Sequence, residues 1–177
     1  YVLAPLVCVY FLILYSYTVK ILFAWEWPKG MVAWMILGFS TLGILTYATL
    51  HPFVMEGGKM RKIGAAFFTA LLPQAGVLLW AACLRISDYG ITEARYLLIA
   101  FGLWLVVTSL YFLIGKAKDL RLIPISLVAV SIAVSFGPWG MLSVSESSQI
   151  RRLERILQRN GILVQRRIVD VKGEVPD

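Results

Sequence analysis

A polar stretch from Arg85 to Tyr96 separates two long apolar segments of this 177-residue chain. Nowhere else in the sequence do two acids, two arginines and two tyrosines lie so close together. Side chains of these types at the ends of apolar segments indicate a hydrogen-bonded polar site at a membrane surface. The residues of this candidate site are Arg85, Asp88, Tyr89, Thr92, Glu93, Arg95 and Tyr96.

The same residues also have structural interpretations. Thr92 followed by Glu93 is typical of a helix N-terminus, where threonine caps the first turn and an acid interacts favourably with the helix dipole. Asp88 and Arg85 are close enough in sequence to pair locally, and Tyr96 would anchor a helix at the membrane interface. Because clustered charges indicate function only statistically, both interpretations stay open at this point.

The rest of the sequence carries no motif of a known chemistry. It contains no serine in a nucleophile elbow, no HExxH zinc helix and no glycine-rich phosphate loop. His51 is the only histidine and has no acid or cysteine at ligand spacing, while Cys8 and Cys83 are lone cysteines in apolar segments. We therefore predict no catalytic residue, no metal and no cofactor, and the sequence leans against an enzyme.

Composition places the protein in a membrane. Hydrophobic residues make up 59% of the chain and the mean hydropathy is +0.78, whereas a soluble domain of this length would carry more charge. Apolar runs of about 20 residues match the hydrocarbon thickness of a bilayer. The net charge of +7 then concerns topology and lipid contact, so we predict the lipid bilayer, and not nucleic acid, as a partner.

The apolar runs predict an all-α membrane protein, with a bundle of about five transmembrane helices over residues 1–142. The predicted spans are residues 1–24, 31–50, 63–84, 96–114 and 122–142. Tyr1 opens directly into an apolar run, which is typical of an internal piece of a longer protein.

Two spans contain features that bear on packing. Pro73 lies inside the third span and frees a backbone carbonyl, which Gln74 could satisfy. The helix would then either break to line a substrate cavity or form a packed kink, which is the commoner case. The fifth span has small residues four apart and is expected to pack tightly inside the bundle. These pairs are Ala129 with Ala133 and Ser131 with Ser135.

Residues 143–177 are predicted to begin a small soluble tail. The stretch Ser143-Val144-Ser145-Glu146 has the form of a capping box, and an amphipathic helix is expected from about 146 to 159. The apolar residues of this helix share one face, and its arginines cover much of the rest. Short strands are expected at 162–164 and 168–169.

Basic residues predict the orientation of the bundle. Loops 51–62 and 116–121 hold more lysine and arginine than the short loops on the opposite side, which favours a cytoplasmic location for them. The polar stretch and the tail then lie outside the cytoplasm. The tail arginines argue the other way, but segments that lead into long domains cross membranes largely regardless of charge.

Five spans also place the polar stretch and the start of the tail on the same side of the membrane. We therefore predict that residues 85–96 pack against residues 137–149, whichever side is cytoplasmic. Hydroxyl and amide groups of the tail would satisfy charged and aromatic groups of the polar stretch. The tail residues added to the candidate site are Ser143, Ser145 and Gln149.

Three ordered motifs give the chain a resemblance to a known family. They are Tyr89-Gly90-x-Thr92-Glu93-x-Arg95-Tyr96, Gly137-Pro138-Trp139, and Ser143-Val144-Ser145 running into Ser148-Gln149-x-x-Arg152-Leu153. In these motifs the chain resembles the bacterial multi-pass membrane proteins of domain-of-unknown-function family 4153. The resemblance implies a bacterial envelope protein with further helices before Tyr1, which we expect to be partners of this bundle. We expect the protein to be a multi-pass protein of the bacterial inner membrane. The resemblance brings no established activity, and so no catalytic residue.

Three hypotheses for the function follow. The first is a non-catalytic envelope component that anchors a soluble tail, which in turn binds a protein partner. The second is a transport or channel module whose polar pathway lies partly upstream of Tyr1. The third is a membrane-surface enzyme that acts on lipid or envelope substrates. We favour the first, because the spans contain almost no ionisable residue of the kind that ion-coupled transporters use.

Overall fold

The computed structural model describes residues 3–24, 31–56, 58–114, 119–160, 163–164 and 167–168. These residues form six helices, followed by two short strands. The helices are α1 (Leu3–Ala24), α2 (Met31–Glu56), α3 (Gly58–Tyr89), α4 (Glu93–Ile114), α5 (Leu122–Ser135) and α6 (Met141–Arg159). The strands β1 (Leu163–Val164) and β2 (Arg167–Ile168) pair in antiparallel register.

The predicted class, an all-α membrane protein, is confirmed. Within the described residues, α1, α2, α3 and α4 are long and apolar enough to cross a membrane. The fifth apolar segment forms α5, a shorter helix of 14 residues, which is about 21 Å long at about 1.5 Å per residue. Its length falls short of a hydrocarbon core about 30 Å thick.

The second and third helices are longer than the spans predicted for them. Helix α2 continues through Pro52 to Glu56, and α3 begins at Gly58 instead of at residue 63. Most of the loop expected at 51–62 is therefore helical. The predicted spans ended where the apolar residues end. A helix can continue beyond that point, because polar side chains are accommodated at the membrane interface.

Helix α3 is continuous across Pro73. Of the two predicted alternatives, this continuity contradicts a helix that breaks at Pro73. Helix α1 supplies the polar contacts here. The Tyr15 hydroxyl donates to the carbonyl of Ala70 at 2.6 Å, and the Thr18 hydroxyl donates to Oε1 of Gln74 at 3.2 Å. These bonds tie α1 to α3 beside the proline, where the helix lacks one of its own donors.

Helix α5 runs back along α4. Nε1 of Trp104 donates to the Ser126 hydroxyl at 2.9 Å, and the Tyr96 hydroxyl donates to the carbonyl of Trp139 at 2.6 Å. The chain therefore returns to the end of the bundle where α4 begins, which we call the loop end. The helix ends at Ser135, because Phe136 is extended with φ −114° and ψ 149°, and Gly137 continues the turn with a φ of +94°.

The expectation that α5 packs tightly inside the bundle is wrong for the described residues. Ala129, Ala133, Ser131 and Ser135 are all exposed. Among the residues of α5, only Ile123 and Val134 are buried. Small residues permit close helix approach but do not require it, because in lipid no hydrophobic force drives two helices together.

The core of the bundle is aromatic. The rings of Phe68 and Phe112 stack with a centroid distance of 4.6 Å, and Tyr47 meets both of them edge to face. Phe39 and Phe67 extend this cluster toward α1. Such pairs add about 0.5–1.5 kcal/mol each beyond the area they bury. The cluster joins α2, α3 and α4, so α3 has a neighbour on each side.

Two buried polar side chains of the core differ in their bonding. Gln74 is buried and accepts from Thr18 across the interface between α1 and α3. The hydroxyl of Ser109 is fully buried in α4 and has no hydrogen-bond partner among the described residues. Only the first of these side chains is expected to hold helices together.

We expect Gln74→Leu to lower the free energy of unfolding by about 0.6–1.7 kcal/mol, the size of an interhelical hydrogen bond in a membrane protein. Ser109→Ala is the matched control and should change it by less than about 0.5 kcal/mol, since no bond is lost. Equilibrium unfolding of the purified full protein in detergent measures both. A Gln74→Leu protein as stable as the control would show that this bond does not join the helices.

Candidate functional site

The connection between α3 and α4 consists of three residues, Gly90, Ile91 and Thr92. Gly90 has a φ of +77° and its N–H donates to the carbonyl of Ile86 at 2.8 Å, which closes the last turn of α3. A glycine suits this position because other residues rarely adopt positive φ. Thr92 directly precedes Glu93, the first residue of α4, as the predicted N-cap of that helix requires.

Most of the polar stretch is therefore helical. Arg85 to Tyr89 form the end of α3, and Glu93 to Tyr96 form the first turn of α4. The sequence had suggested a long polar loop because these residues interrupt the apolar pattern. The structure shows instead that these residues continue the two apolar helices up to a connection of three residues.

Helix α6 lies against this connection and satisfies the backbone of Ile91. The Ile91 N–H donates to the hydroxyl of Ser148 at 3.0 Å. Nε2 of Gln149 donates to the Ile91 carbonyl, also at 3.0 Å. Two consecutive residues of α6 thus bond both backbone groups of one residue. This pair of bonds fixes α6 at the loop end of the bundle.

Two further bonds order the surroundings of the connection. Arg95 donates from its guanidinium group to the Gly90 carbonyl at 2.7 Å, so the first turn of α4 reaches back over the turn. The bond from the Tyr96 hydroxyl to the carbonyl of Trp139 holds the segment before α6 beside α4. The polar groups of the connection are therefore used to join three helices.

The ring of Tyr89 lies close to two arginines. Cζ of Arg95 is 5.4 Å from the ring centroid, and Cζ of Arg152 is 5.8 Å from it. Both distances are within the range of a cation–π interaction, which contributes about 0.5–1 kcal/mol at exposed sites. Tyr89 is about half exposed. Its ring brings together charges from α4 and α6 that would otherwise repel each other.

A small basic groove opens between the end of α3 and α6. Its volume is about 330 Å³. Asp88 is the one acidic residue in its lining, and three arginines of α6 face the same space. These arginines are Arg152, Arg155 and Arg159. With this excess of positive charge, the groove could hold a small anion or an acidic side chain.

The prediction that residues 85–96 pack against 137–149 is confirmed by the bonds of Ile91 and Tyr96. Gln149 forms one of these bonds, as expected. Ser143 and Ser145 do not: within the described part of the chain, neither hydroxyl bonds to the polar stretch. Ser143 is exposed, whereas Ser145 is buried.

The predicted capping box is wrong. Helix α6 begins at Met141, and its N-cap is Gly140, which has no side-chain cap hydrogen bond. Ser143 is therefore inside the helix and cannot cap it. The turn at Gly137 and Gly140, where the Gly140 N–H donates to the Gly137 carbonyl, starts the helix earlier than the serine pattern suggested.

Sequence reasoning did not assign Ser148 and Arg152 to the site. The signal that could have found them is helical spacing, since residues at i, i+3, i+4 and i+7 share one face of a helix. Ser145, Ser148, Gln149 and Arg152 have this spacing. The prediction from the sequence considered the apolar face of this helix and not the residues that share its polar face.

The remaining predicted residues are spread around the connection. Asp88 and Glu93 are exposed, and Asp88 faces the basic groove. Arg85 and Thr92 are half-buried and point to the other side of the connection, where they line a second, apolar cleft together with Arg95. The structure therefore places Asp88 in one concave surface and Arg85, Thr92 and Arg95 in another.

Comparison with known proteins gives two matches. A family model described as "Domain of unknown function (DUF4153)" matches residues 1–163, which confirms the predicted resemblance. "Uncharacterized protein PM1469" of Pasteurella multocida (strain Pm70) is 28% identical over 164 residues, covering 92% of this chain. The match covers 28% of that relative, so the chain spans little more than a quarter of its length. No solved structure matches the chain.

We expect Ser148→Ala to speed hydrogen exchange of the Ile91 amide about five-fold, because a net hydrogen bond is worth about 1 kcal/mol. Ser147→Ala is the matched control, since Ser147 is exposed and its side chain does not bond to Ile91. Exchange mass spectrometry on the purified full protein measures both. Equal exchange at Ile91 in the two variants would mean that Ser148 does not hold the connection.

Proposed function

The chain belongs to the family of domain of unknown function DUF4153, and we propose that it is a non-catalytic component of the bacterial envelope, which anchors a partner-binding soluble tail at the membrane surface. The observation that supports this proposal is the orientation of α6. This helix contacts the bundle through its polar face and leaves its apolar face open.

The polar face of α6 is the attached one. Ser148 and Gln149 bond to Ile91, and Arg152 lies over the ring of Tyr89. Ser145 is on the same face and is 8% exposed. An amphipathic helix that simply packed on a protein core would bury its apolar face instead. Helix α6 is therefore held to the helix bundle by hydrogen bonds and connects the bundle to the tail.

The apolar face of α6 lies about a quarter of a turn around the helix from the attached face and is exposed. Leu142, Ile150 and Leu153 lie at helical spacing on this face and are 58%, 48% and 56% exposed. An exposed apolar stripe beside polar residues marks a surface that contacts protein or membrane. Strand β1 follows α6 closely in the chain and contacts it. We propose that protein covers this stripe and that the partner of the tail is held there.

The polar side chains at the loop end also favour an anchor over an enzyme. Arg95, Tyr96 and Gln149 each bond to a backbone carbonyl of the connection or of the segment before α6. Groups used in this way stabilise a fixed arrangement. This is the role that a rigid support for a tail requires.

We propose that the protein lies in the inner membrane, with the loop end and the tail outside the cytoplasm. The supporting feature is the excess of lysine and arginine in residues 51–62 and 116–121. Helix α6 begins at the loop end, so one position on it reports the side of the tail. Ser147 is exposed and suits this purpose.

A cysteine placed at Ser147 should react with a membrane-impermeant maleimide in intact cells whose outer membrane admits the reagent. Cys8 and Cys83 are free and exposed, so both are first replaced by alanine in the full protein. A cysteine at Arg121, on the basic side, is the control and should react only after lysis. The reverse pattern would invert the orientation.

A polarity-sensitive fluorophore on a cysteine at Leu153 tests what covers the apolar face. We expect a blue-shifted emission that neither iodide in water nor brominated lipid in the bilayer quenches, because protein covers the stripe. The same fluorophore at Ser147 should be quenched by iodide. Quenching at 153 by brominated lipid would make α6 a membrane-surface helix, and quenching by iodide would leave the stripe uncovered; either result contradicts the proposal.

A further inference from the structure

The basic groove between the end of α3 and α6 gathers charged side chains from two helices. Arg152, Arg155 and Arg159 come from α6, and Asp88 comes from the last turn of α3. The arginines have the spacing i, i+3 and i+7, so they lie along one face of their helix. The two bonds from α6 to Ile91 hold this helix against the end of α3. The groove is therefore built by the same contacts that attach α6 to the bundle.

The arginines of the groove keep donors for a ligand. Arg152 lies over the ring of Tyr89, and this cation–π interaction leaves its N–H donors along the edge of the group. Arg155 uses Nε alone, in a bond of 3.3 Å to the carbonyl of Arg151 in its own helix. Arg159 has no hydrogen bond or ion pair among the described residues. Because a guanidinium group carries five N–H donors, each of the three arginines can still bind an anion.

Asp88 restricts which anion the groove can hold. Its carboxylate is exposed and has no hydrogen bond or ion pair within the described part of the chain. An ionised carboxylate accepts hydrogen bonds and donates none. Sulfate, or a carboxylate from a protein partner, would therefore meet Asp88 as a like charge with no proton between them. An anion that keeps an O–H group would instead donate to Asp88 and accept from the arginines.

We propose that the groove binds a phosphate group that keeps a P–OH proton. Hydrogen phosphate carries two negative charges and one hydroxyl, which match three arginines and one aspartate, whose charges sum to +2. The hydroxyl donates to Asp88, and the other oxygens accept from the arginines. The groove has a volume of about 330 Å³. This is at the small end of the range of ligand pockets, about 300–1,000 Å³, as a single small anion requires.

Two sources can supply such a phosphate group. Asp88 lies one residue before the end of the apolar helical segment Lys62–Tyr89, which is long enough to cross a membrane. Dissolved phosphate and the phosphate of a lipid headgroup can therefore both reach the groove. A phosphomonoester lipid such as phosphatidic acid carries the P–OH group in its singly protonated form, whereas the phosphodiester of phosphatidylglycerol has no proton to donate.

Equilibrium dialysis of the purified full protein with radiolabelled phosphate tests the site. At neutral pH and fixed ionic strength, we expect saturable binding of phosphate. Sulfate should displace the label at least about ten-fold less well than unlabelled phosphate, because it lacks one hydrogen bond to a charged group. Equal displacement by the two anions would overturn the proposal, and so would the absence of saturable binding.

Asp88→Asn tests the selectivity and keeps every arginine. Asparagine has nearly the same shape and offers an amide donor, so this variant should bind sulfate about as tightly as phosphate. The fold should not depend on Asp88, since its side chain is exposed and bonds to no other described residue. A variant that still prefers phosphate by about ten-fold would contradict the role given to Asp88, and with it the proposal.

Arg159→Gln tests the charge of the groove. We expect it to weaken the binding of phosphate and sulfate alike by about ten-fold, because each anion loses a charge-assisted hydrogen bond. Arg151→Gln is the matched control, since Arg151 is an exposed arginine of the same helix and does not line the groove. It should leave both affinities within about two-fold, because salt screens a distant exposed charge. Equal losses in the two variants would mean that the anions respond only to the overall charge of α6.

Competition by lipids separates the two sources. Phosphatidic acid and phosphatidylglycerol with identical acyl chains are added to the delipidated protein in a neutral detergent that contains radiolabelled phosphate. Displacement by phosphatidic acid alone would assign the site to a lipid phosphate, and displacement by neither lipid would assign it to dissolved phosphate; both results support the proposal. Equal displacement by phosphatidylglycerol would overturn it, because that lipid offers charge without the proton.

Discussion

Where a chain turns at a membrane surface, its backbone groups need partners that water alone does not reliably provide. In this protein both backbone groups of Ile91 bond to α6, the N–H to Ser148 and the carbonyl to Gln149. Because these two residues are consecutive, the bonds fix the rotation of α6 about its own axis. The exposure of the apolar face of α6 depends on this pair of bonds.

The same connection also organises its other side. Gly90 lets α3 end abruptly, and Arg95 then reaches back to the Gly90 carbonyl. Tyr96 holds the carbonyl of Trp139, which brings the end of α5 beside α4. Helix α5 thereby forms one wall of the apolar cleft, which Arg95 also lines. The three-residue connection thus positions both α6 and the apolar cleft.

The fold class and the meeting of residues 85–96 with the tail could be predicted because they depend on few properties. Apolar length indicates helices that cross a membrane, and counting spans places segments on one side or the other. The identity of the contacting residues could not be predicted in the same way. A false capping box at Ser143 started α6 too late, and the small residues of α5 suggested a tight packing that the described helices do not show.

The sequence by itself determined that the protein is a membrane protein and that its long apolar segments are helices. It also determined that the charged residues lie near the ends of these helices. These are sums of local properties, such as hydropathy and length. Only the tertiary structure decided that Ser148 and not Ser143 meets Ile91, that Gln74 joins α1 to α3, and that two arginines line an apolar cleft. Such choices depend on the rotation of each helix, which contacts between residues more than 50 positions apart fix jointly.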